Sequence, residues 1–151
     1  MTARFLLDTN IVSEAVRPQP SPDLTEWLSS QRDEALHIAT LTVAEIRRGI
    51  LEKEPGRRRR ELEAWFTGPE GPQALFAGRV LAFHERAALE WARIMAEGTG
   101  AGRPRSAMDM IIAATAAVHG LTVATANEKH FRDIGVAWIN PLKPGLRQVE
   151  G

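Results

Sequence analysis

The 151-residue chain contains no cysteine and no tyrosine. The first absence excludes disulfide staples, thiolate zinc sites, thiol nucleophiles and redox switching; the second removes a phenolic nucleophile. An excess of either charge is also lacking, with 19 Lys and Arg against 19 Asp and Glu. A polyanionic partner must therefore be held by local clusters and not by the field of the whole molecule. Long hydrophobic runs are missing too: the longest uncharged apolar stretch, Met110–Val118, falls far short of the about 20 residues that span a bilayer. Near the N-terminus Phe5-Leu6-Leu7 meets Asp8 at once, where a secretory signal requires about 7–15 apolar residues. These absences predict a soluble, cytoplasmic protein without a membrane partner. What is present, 44% hydrophobic and 25% charged residues, suits one globular domain that buries roughly two-thirds of its unfolded surface.

Phe5-Leu6-Leu7, stopped by the polar Asp8-Thr9-Asn10, reads as a buried strand turning directly into a helix over Ile11–Val16. Ser21-Pro22-Asp23 supplies a cap with proline at the first helical position, and Leu24, Trp27 and Leu28 extend a helix to about Gln31. Leu36–Ala39 reads as a second strand. Thr42-x-x-Glu45 has the form of a capping box opening a helix through Val43, Ile46 and Ile50. Pro55-Gly56 ends that helix, Arg57–Thr67 forms another, and Gly68–Pro72 is a loop. Val80–Phe83 suggests a short strand, followed by a helix to about Glu97 and Gly/Pro punctuation over Gly98–Pro104. Ser106 caps the Ala-rich helix Met108–Val118, which His119-Gly120 closes; Leu121–Thr125 and Val136–Ile139 are strands, with one helical turn at Asn127–Phe131 between them. Strands separated by helical segments predict an α/β fold with a mostly parallel central sheet flanked by helices, because parallel neighbours need crossover connections. No internal repeat appears. The domain is expected to span residues 1–141, with residues 142–151 as a loose tail.

Ligands of open parallel sheets bind at the carboxyl ends of the strands. The polar residues placed there by this reading are mostly acids: Asp8 after the first strand, Glu45 in the helix after the second, and Asp109 at the start of the Ala-rich helix, with Thr125-Ala126-Asn127 ending a late strand. Crowded carboxylates repel unless a cation neutralises them, and carboxylates with waters are the ligands that Mg²⁺ or Mn²⁺ prefers. Such an ion acidifies water and stabilises charge on phosphoryl oxygens, as phosphodiester hydrolysis requires in a site without a strong side-chain nucleophile. Each acid alone also has a purely structural account: an Asx-type helix start for Asp8, half of a capping box for Glu45, a favourable helix N-terminal charge for Asp109. Their shared placement on one edge favours the joint reading.

Four blocks of the chain resemble the motif blocks of PIN-domain ribonuclease toxins of the VapC/FitB type. They are Phe5–Val12 (FLLDTNIV), Thr42–Gly49 (TVAEIRRG), Met108–Ala116 (MDMIIAATA) and Thr125–Phe131 (TANEKHF), in family order and spread over nearly the whole length. The resemblance implies a PIN-like fold and a Mg²⁺- or Mn²⁺-dependent endoribonuclease acting on an RNA substrate. It further implies a homodimer neutralised by a cognate antitoxin protein, with operator DNA met only through that antitoxin. Asp8, Glu45 and Asp109 stand at the family's metal-site acids, and Asn127 joins them as a fourth candidate catalytic residue. The last block departs from the acidic form of the motif: Asn127 stands where many relatives carry Asp, and His130 where an Asp before the Phe is frequent.

Other signals are plainer. Arg57–Arg60 is the densest basic cluster, suited to phosphate but read first as a solvated helix face, since runs of charge are usually surface. The four histidines lack the i, i+4 pairing of a helical zinc site and mark no metal ligand. The four tryptophans fall at apolar positions that read as core or interface. Trp27, Leu28, Trp65 and Phe66 bear the apolar helical surfaces suited to an antitoxin segment or a second copy. Competing readings are a haloacid-dehalogenase-like phosphatase, which wants an acid where Asn10 stands; a response-regulator receiver, whose paired acids are missing; and a catalytically inactive PIN-like interaction module.

Overall fold

The computed structural model describes residues 3–143 and, for the backbone, 147–148. In chain order the elements are β1 (Phe5–Leu7), α1 (Thr9–Ala15), α2 (Pro22–Ser29), β2 (Leu36–Ala39), α3 (Thr40–Leu51), α4 (Arg57–Thr67), α5 (Pro72–Leu75), β3 (Val80–Leu81), α6 (Glu85–Gly100), α7 (Ala107–His119), β4 (Thr122–Ala124), α8 (Glu128–Phe131), β5 (Trp138–Ile139) and β6 (Arg147–Gln148). The strands form one sheet in the order β3-β2-β1-β4-β5-β6. Its first five strands are parallel, with Leu6 opposite His37 on one side and Val123 on the other; β6 pairs antiparallel with β5. The order reverses at β1, so β1 and β4 flank the topological switch point where open α/β sheets bind ligands.

Alternating side chains along each strand divide the core between the two faces. Leu6, Val123 and Trp138 pack with Ile94, Met110, Ile112, Ala113 and Phe131. Phe5, Leu7, Ile38 and Ile139 pack on the other face with Ile11, Leu24, Ile46, Ile50 and Phe66. Phe5 meets Trp27 edge to face at 4.9 Å. The small side chains Ala113, Ala114 and Ala116, all fully buried, belong to the stretch by which α7 packs in the core. Ser106 caps α7 by accepting from the Asp109 N–H, and Gly120 ends it in the left-handed conformation at φ 67° that glycine adopts without Cβ strain. Among the described residues no helix is long and apolar enough to cross a membrane.

The structure corrects several expectations. Thr42 and Glu45 do not form a capping box: β2 runs straight into α3, whose cap is Ala39 with no side-chain bond. Thr42 is instead fully buried inside the helix. The loop expected over Gly68–Pro72 closes into α5, because Pro72 starts a turn with its fixed φ. The helix after β3 runs on to Gly100, past the expected stop at Glu97. Asp109 follows a helix–helix connection and not a strand. In agreement with the sequence reading, the basic run Arg57–Arg60 lies on a solvated face of α4, where Arg57 and Arg58 pair with Glu61 and Arg59 with Glu63. Most of the tail expected at 142–151 lies outside the described residues; within it Arg147–Gln148 adds the edge strand, for which two residues carry no periodic signal.

Candidate active site

Asp8 leaves β1 in an extended conformation and caps α1. Its N–H donates to the Ala124 carbonyl at 2.9 Å, which ties the carboxyl ends of β1 and β4 together. One carboxylate oxygen accepts from the Thr9 N–H at 2.8 Å; the other accepts from the Thr125 hydroxyl at 2.8 Å and the Asn10 amide at 3.1 Å. Burial, which leaves Asp8 only 3% exposed, pushes its carboxyl up to about 6. The Thr125 and Thr9 hydrogen bonds pull against that rise, while the negative charges of Asp109 and Glu45 add to it.

Glu45 reaches the site from α3. The Thr9 hydroxyl donates to Glu45 Oε1 at 2.5 Å and lies 3.1 Å from the Thr42 hydroxyl. Thr9 thus joins Asp8 to Glu45, its amide on one and its hydroxyl on the other. Positions 42 and 45 share a helix face by their i, i+3 spacing, so the pattern that reads as a cap instead aims both side chains at α1.

Asp109, in the first turn of α7, accepts from the Asn127 amide at 3.3 Å and contacts His130 Nδ1. The Asn127 Nδ2 and His130 Nδ1 atoms are 2.7 Å apart, so three side chains meet at one point. The Asn127 N–H donates to the Thr125 hydroxyl at 2.9 Å, which in turn donates to Asp8. Asp8, Glu45, Asp109 and Asn127 therefore belong to one hydrogen-bonded network at the switch point. Asn10 braces it by accepting from the Ala126 N–H at 3.1 Å while donating to Asp8.

Thr9, Asn10, Thr42 and His130 are the site residues that motif reasoning about acids passes over. The first two sit in the polar cluster that stops β1. His130 is a lone histidine by sequence spacing, and only the turn of α8 carries it onto Asp109.

Among the described residues, no three Asp, Glu or His side chains already meet around one ion-sized point. The donor set still fits a hard divalent cation, because Mg²⁺ keeps several waters and needs only one or two direct carboxylates besides substrate phosphates. The buried Asp8, its pKa raised in part by two neighbouring carboxylates, supplies the electrostatic demand.

Comparison with known proteins places the fold and the family. The family model of the PIN domain matches residues 5–137. The chain is 40% identical over 137 residues to Toxin FitB of Neisseria gonorrhoeae, covering 91% of this chain and 97% of that one. It is 36% identical over 140 residues to VapC ribonuclease Y4jK of Sinorhizobium fredii, covering 93% and 99%. The solved structure of FitAB bound to an IR36 DNA fragment superposes with a TM-score of 0.84 at 37% identity, over 92% of this chain and 96% of that chain. In fold and in sequence over nearly its full length, the chain belongs to the PIN-domain family.

Proposed function

We propose that this protein is a divalent-metal-dependent endoribonuclease and the toxin of a toxin–antitoxin pair. The observation that carries the reading is the buried Asp8 at the switch point, tied by hydrogen bonds into one network with Glu45, Asp109 and Asn127, its carboxyl pushed up to about 6 by burial and by the two neighbouring acids. Kinship with a ribonuclease and a toxin, each matched along more than nine-tenths of this chain, supports it.

Asp8, Glu45 and Asp109 would hold Mg²⁺ or Mn²⁺. When bound, the cation supplies charge stabilisation for a phosphoryl oxygen and lowers the pKa of water. The remaining work falls to the chain itself. Thr9 and Thr125 fix the rotamers of Glu45 and Asp8 through hydroxyl donors. Asn127 orients Asp109 and adds no negative charge, which leaves three carboxylates as the anionic complement. The buried floor beneath Asp8 keeps bulk water off one side, so charge interactions there act at reduced dielectric.

The antitoxin reading has a surface to go with it. An apolar groove of about 400 Å³ lies among α1, α2, α4 and α5, with Ile11, Val12, Leu28, Trp65, Leu75 and Phe76 along it. The FitAB complex on a DNA fragment, at 37% identity, supports a protein partner; operator contact through that partner and a homodimer of the toxin complete the assembly proposed here.

The test is direct. Asp8→Ala and Asp109→Ala should abolish cleavage of single-stranded RNA in Mg²⁺ or Mn²⁺ while leaving the protein folded by circular dichroism. Near wild-type cleavage by either variant at saturating metal would refute the site. A wild-type protein that cleaves no RNA with any divalent cation, but binds its antitoxin, is an inactive interaction module.

A further inference from the structure

A cleft of about 340 Å³ opens beside the acid cluster, between the α6–α7 connection and the segment from α8 to Ile134. His130 links it to the site, since this side chain both lines the cleft and contacts Asp109. Its charged walls are Arg103, Arg105, Lys129 and Arg132, against one acid, Asp133.

These cations are held differently. Arg105, with its side chain only 15% exposed, donates to the Ile94 carbonyl at 2.7 Å and the Asp133 carbonyl at 3.4 Å and pairs with Glu97 at 3.5 Å. It is a strut joining α6 to the far wall. Arg132 pairs with Glu128 at 2.9 Å. Arg103 and Lys129 are exposed and have no side-chain hydrogen bond or ion pair among the described residues. The densest basic run in the sequence is the opposite case, with three of its four arginines paired to glutamates on the same helix. A chain of zero formal charge can attract a polyanion only where such unpaired cations gather.

We propose that this cleft holds the backbone phosphates of single-stranded RNA next to the phosphate presented to Asp8, Glu45 and Asp109, with Arg103 and Lys129 as the phosphate contacts. Arg105 is a positioning residue that keeps the walls apart. The proposal deepens the ribonuclease reading and rests on it. An acidic protein segment is the other class of polyanion. RNA is favoured because His130, in the wall of this cleft, touches Asp109, whereas the apolar groove lies among α1, α2, α4 and α5.

The experiment measures anisotropy of a short fluorescein-labelled single-stranded RNA on the full-length protein in chelator, where binding is read without cleavage. Arg103→Ala/Lys129→Ala should raise Kd about tenfold or more near 0.1 M salt and flatten the plot of log Kd against log salt by about 1.4, two contacts at about 0.7 each. In divalent metal, KM should rise by a similar factor with kcat nearly unchanged. Arg57→Ala/Arg60→Ala, which removes as much charge elsewhere, should alter neither. Wild-type Kd and slope in the cleft variant would overturn the proposal, as would failure of the wild type to bind RNA, or loss of antitoxin binding with RNA binding intact. Lost RNA binding in a protein that cleaves nothing sinks the ribonuclease reading and keeps the cleft; intact cleavage with unchanged binding and KM does the reverse.

Discussion

Asp8 shows how one buried carboxyl couples stability, protonation and metal affinity. Its folded value of about 6 lies above the ordinary 3.8. Well below 3.8 both folded and unfolded chains hold the proton, and Asp8 contributes nothing to the pH dependence. As pH rises toward 6 the unfolded chain releases its proton first, so the metal-free fold loses stability across that window, on the order of 3 kcal/mol at 1.36 kcal/mol per pH unit. Asp8→Asn should therefore raise the denaturation midpoint in chelator at pH 7 and lose that advantage near pH 4; an equal effect at both would show that burial does not govern this group. A cation must displace the same proton, so Mn²⁺ affinity should fall as pH drops below about 6. Asn127 offers a complementary test. Its amide already lies on Asp109, so Asn127→Asp should tighten Mn²⁺ binding in isothermal titration, and more at neutral than at acid pH. Unchanged affinity at both would place position 127 outside the metal's reach.

At the scale of elements, the site depends on how α8 and the α6–α7 connection are pinned. Glu128, 8% exposed, accepts from Asn140 at 2.7 Å and pairs with Arg132 and Lys143 at 2.9 and 3.2 Å. The Asn140 amide is the chief cause that draws its carboxyl below the ordinary range, followed by Lys143. A depressed carboxyl stabilises the fold above its unfolded value and loses that contribution as pH falls through the folded one. Glu128→Ala should cost about 2 kcal/mol, because it strands the buried Asn140 amide, and should loosen Asn127 and His130 with α8. A melting temperature equal to wild type would show that α8 is held by Phe131 alone. Gly98 marks the other pin: a Cβ there would stand 2.9 Å from the Arg103 carbonyl and from Arg105 Cγ and Cδ. Gly98→Ala should destabilise by about 1–3 kcal/mol through that overlap and weaken RNA binding as the loop shifts, read by the same unfolding and anisotropy assays. Boundaries such as Ser106 and Gly120 were legible, since capping chemistry is local. The start of α3 was not, because Thr42-x-x-Glu45 fits both a cap and a pair of inward-facing side chains.

For the whole molecule, the division of labour between two surfaces is the main expectation. On the proposed reading the candidate site and its basic cleft would meet RNA, and the apolar groove would take the antitoxin. Leu75 lines that groove and is 54% exposed. Leu75→Glu should change stability by no more than about 0.5 kcal/mol, leave RNA cleavage intact, and weaken antitoxin binding by about tenfold or more. Antitoxin neutralising this variant as well as wild type would exclude the groove as the docking face. Light scattering at micromolar concentration tests the homodimer, for which a monomer with and without antitoxin would be the contrary result.

Fold class and the order of most elements followed from the sequence itself, because apolar periodicity, capping residues and turn chemistry act over a few neighbouring positions. Asp8 could be placed from Phe5-Leu6-Leu7-Asp8 alone, since a short buried strand that ends in a polar cluster has its carboxyl end there. Distances along the chain of 36, 21 and 117 residues separate Thr9 from Glu45, His130 from Asp109 and Thr125 from Asp8. No local pattern encodes such pairings; the strand order around β1 and the crossing of α7 created them. Tertiary structure likewise decided which cations are free, since pairing on α4 silences most of the arginine run while Arg103 and Lys129, unremarkable in the sequence, face an open cleft. Charge is a property of residues, but its availability depends on what folding sets beside it.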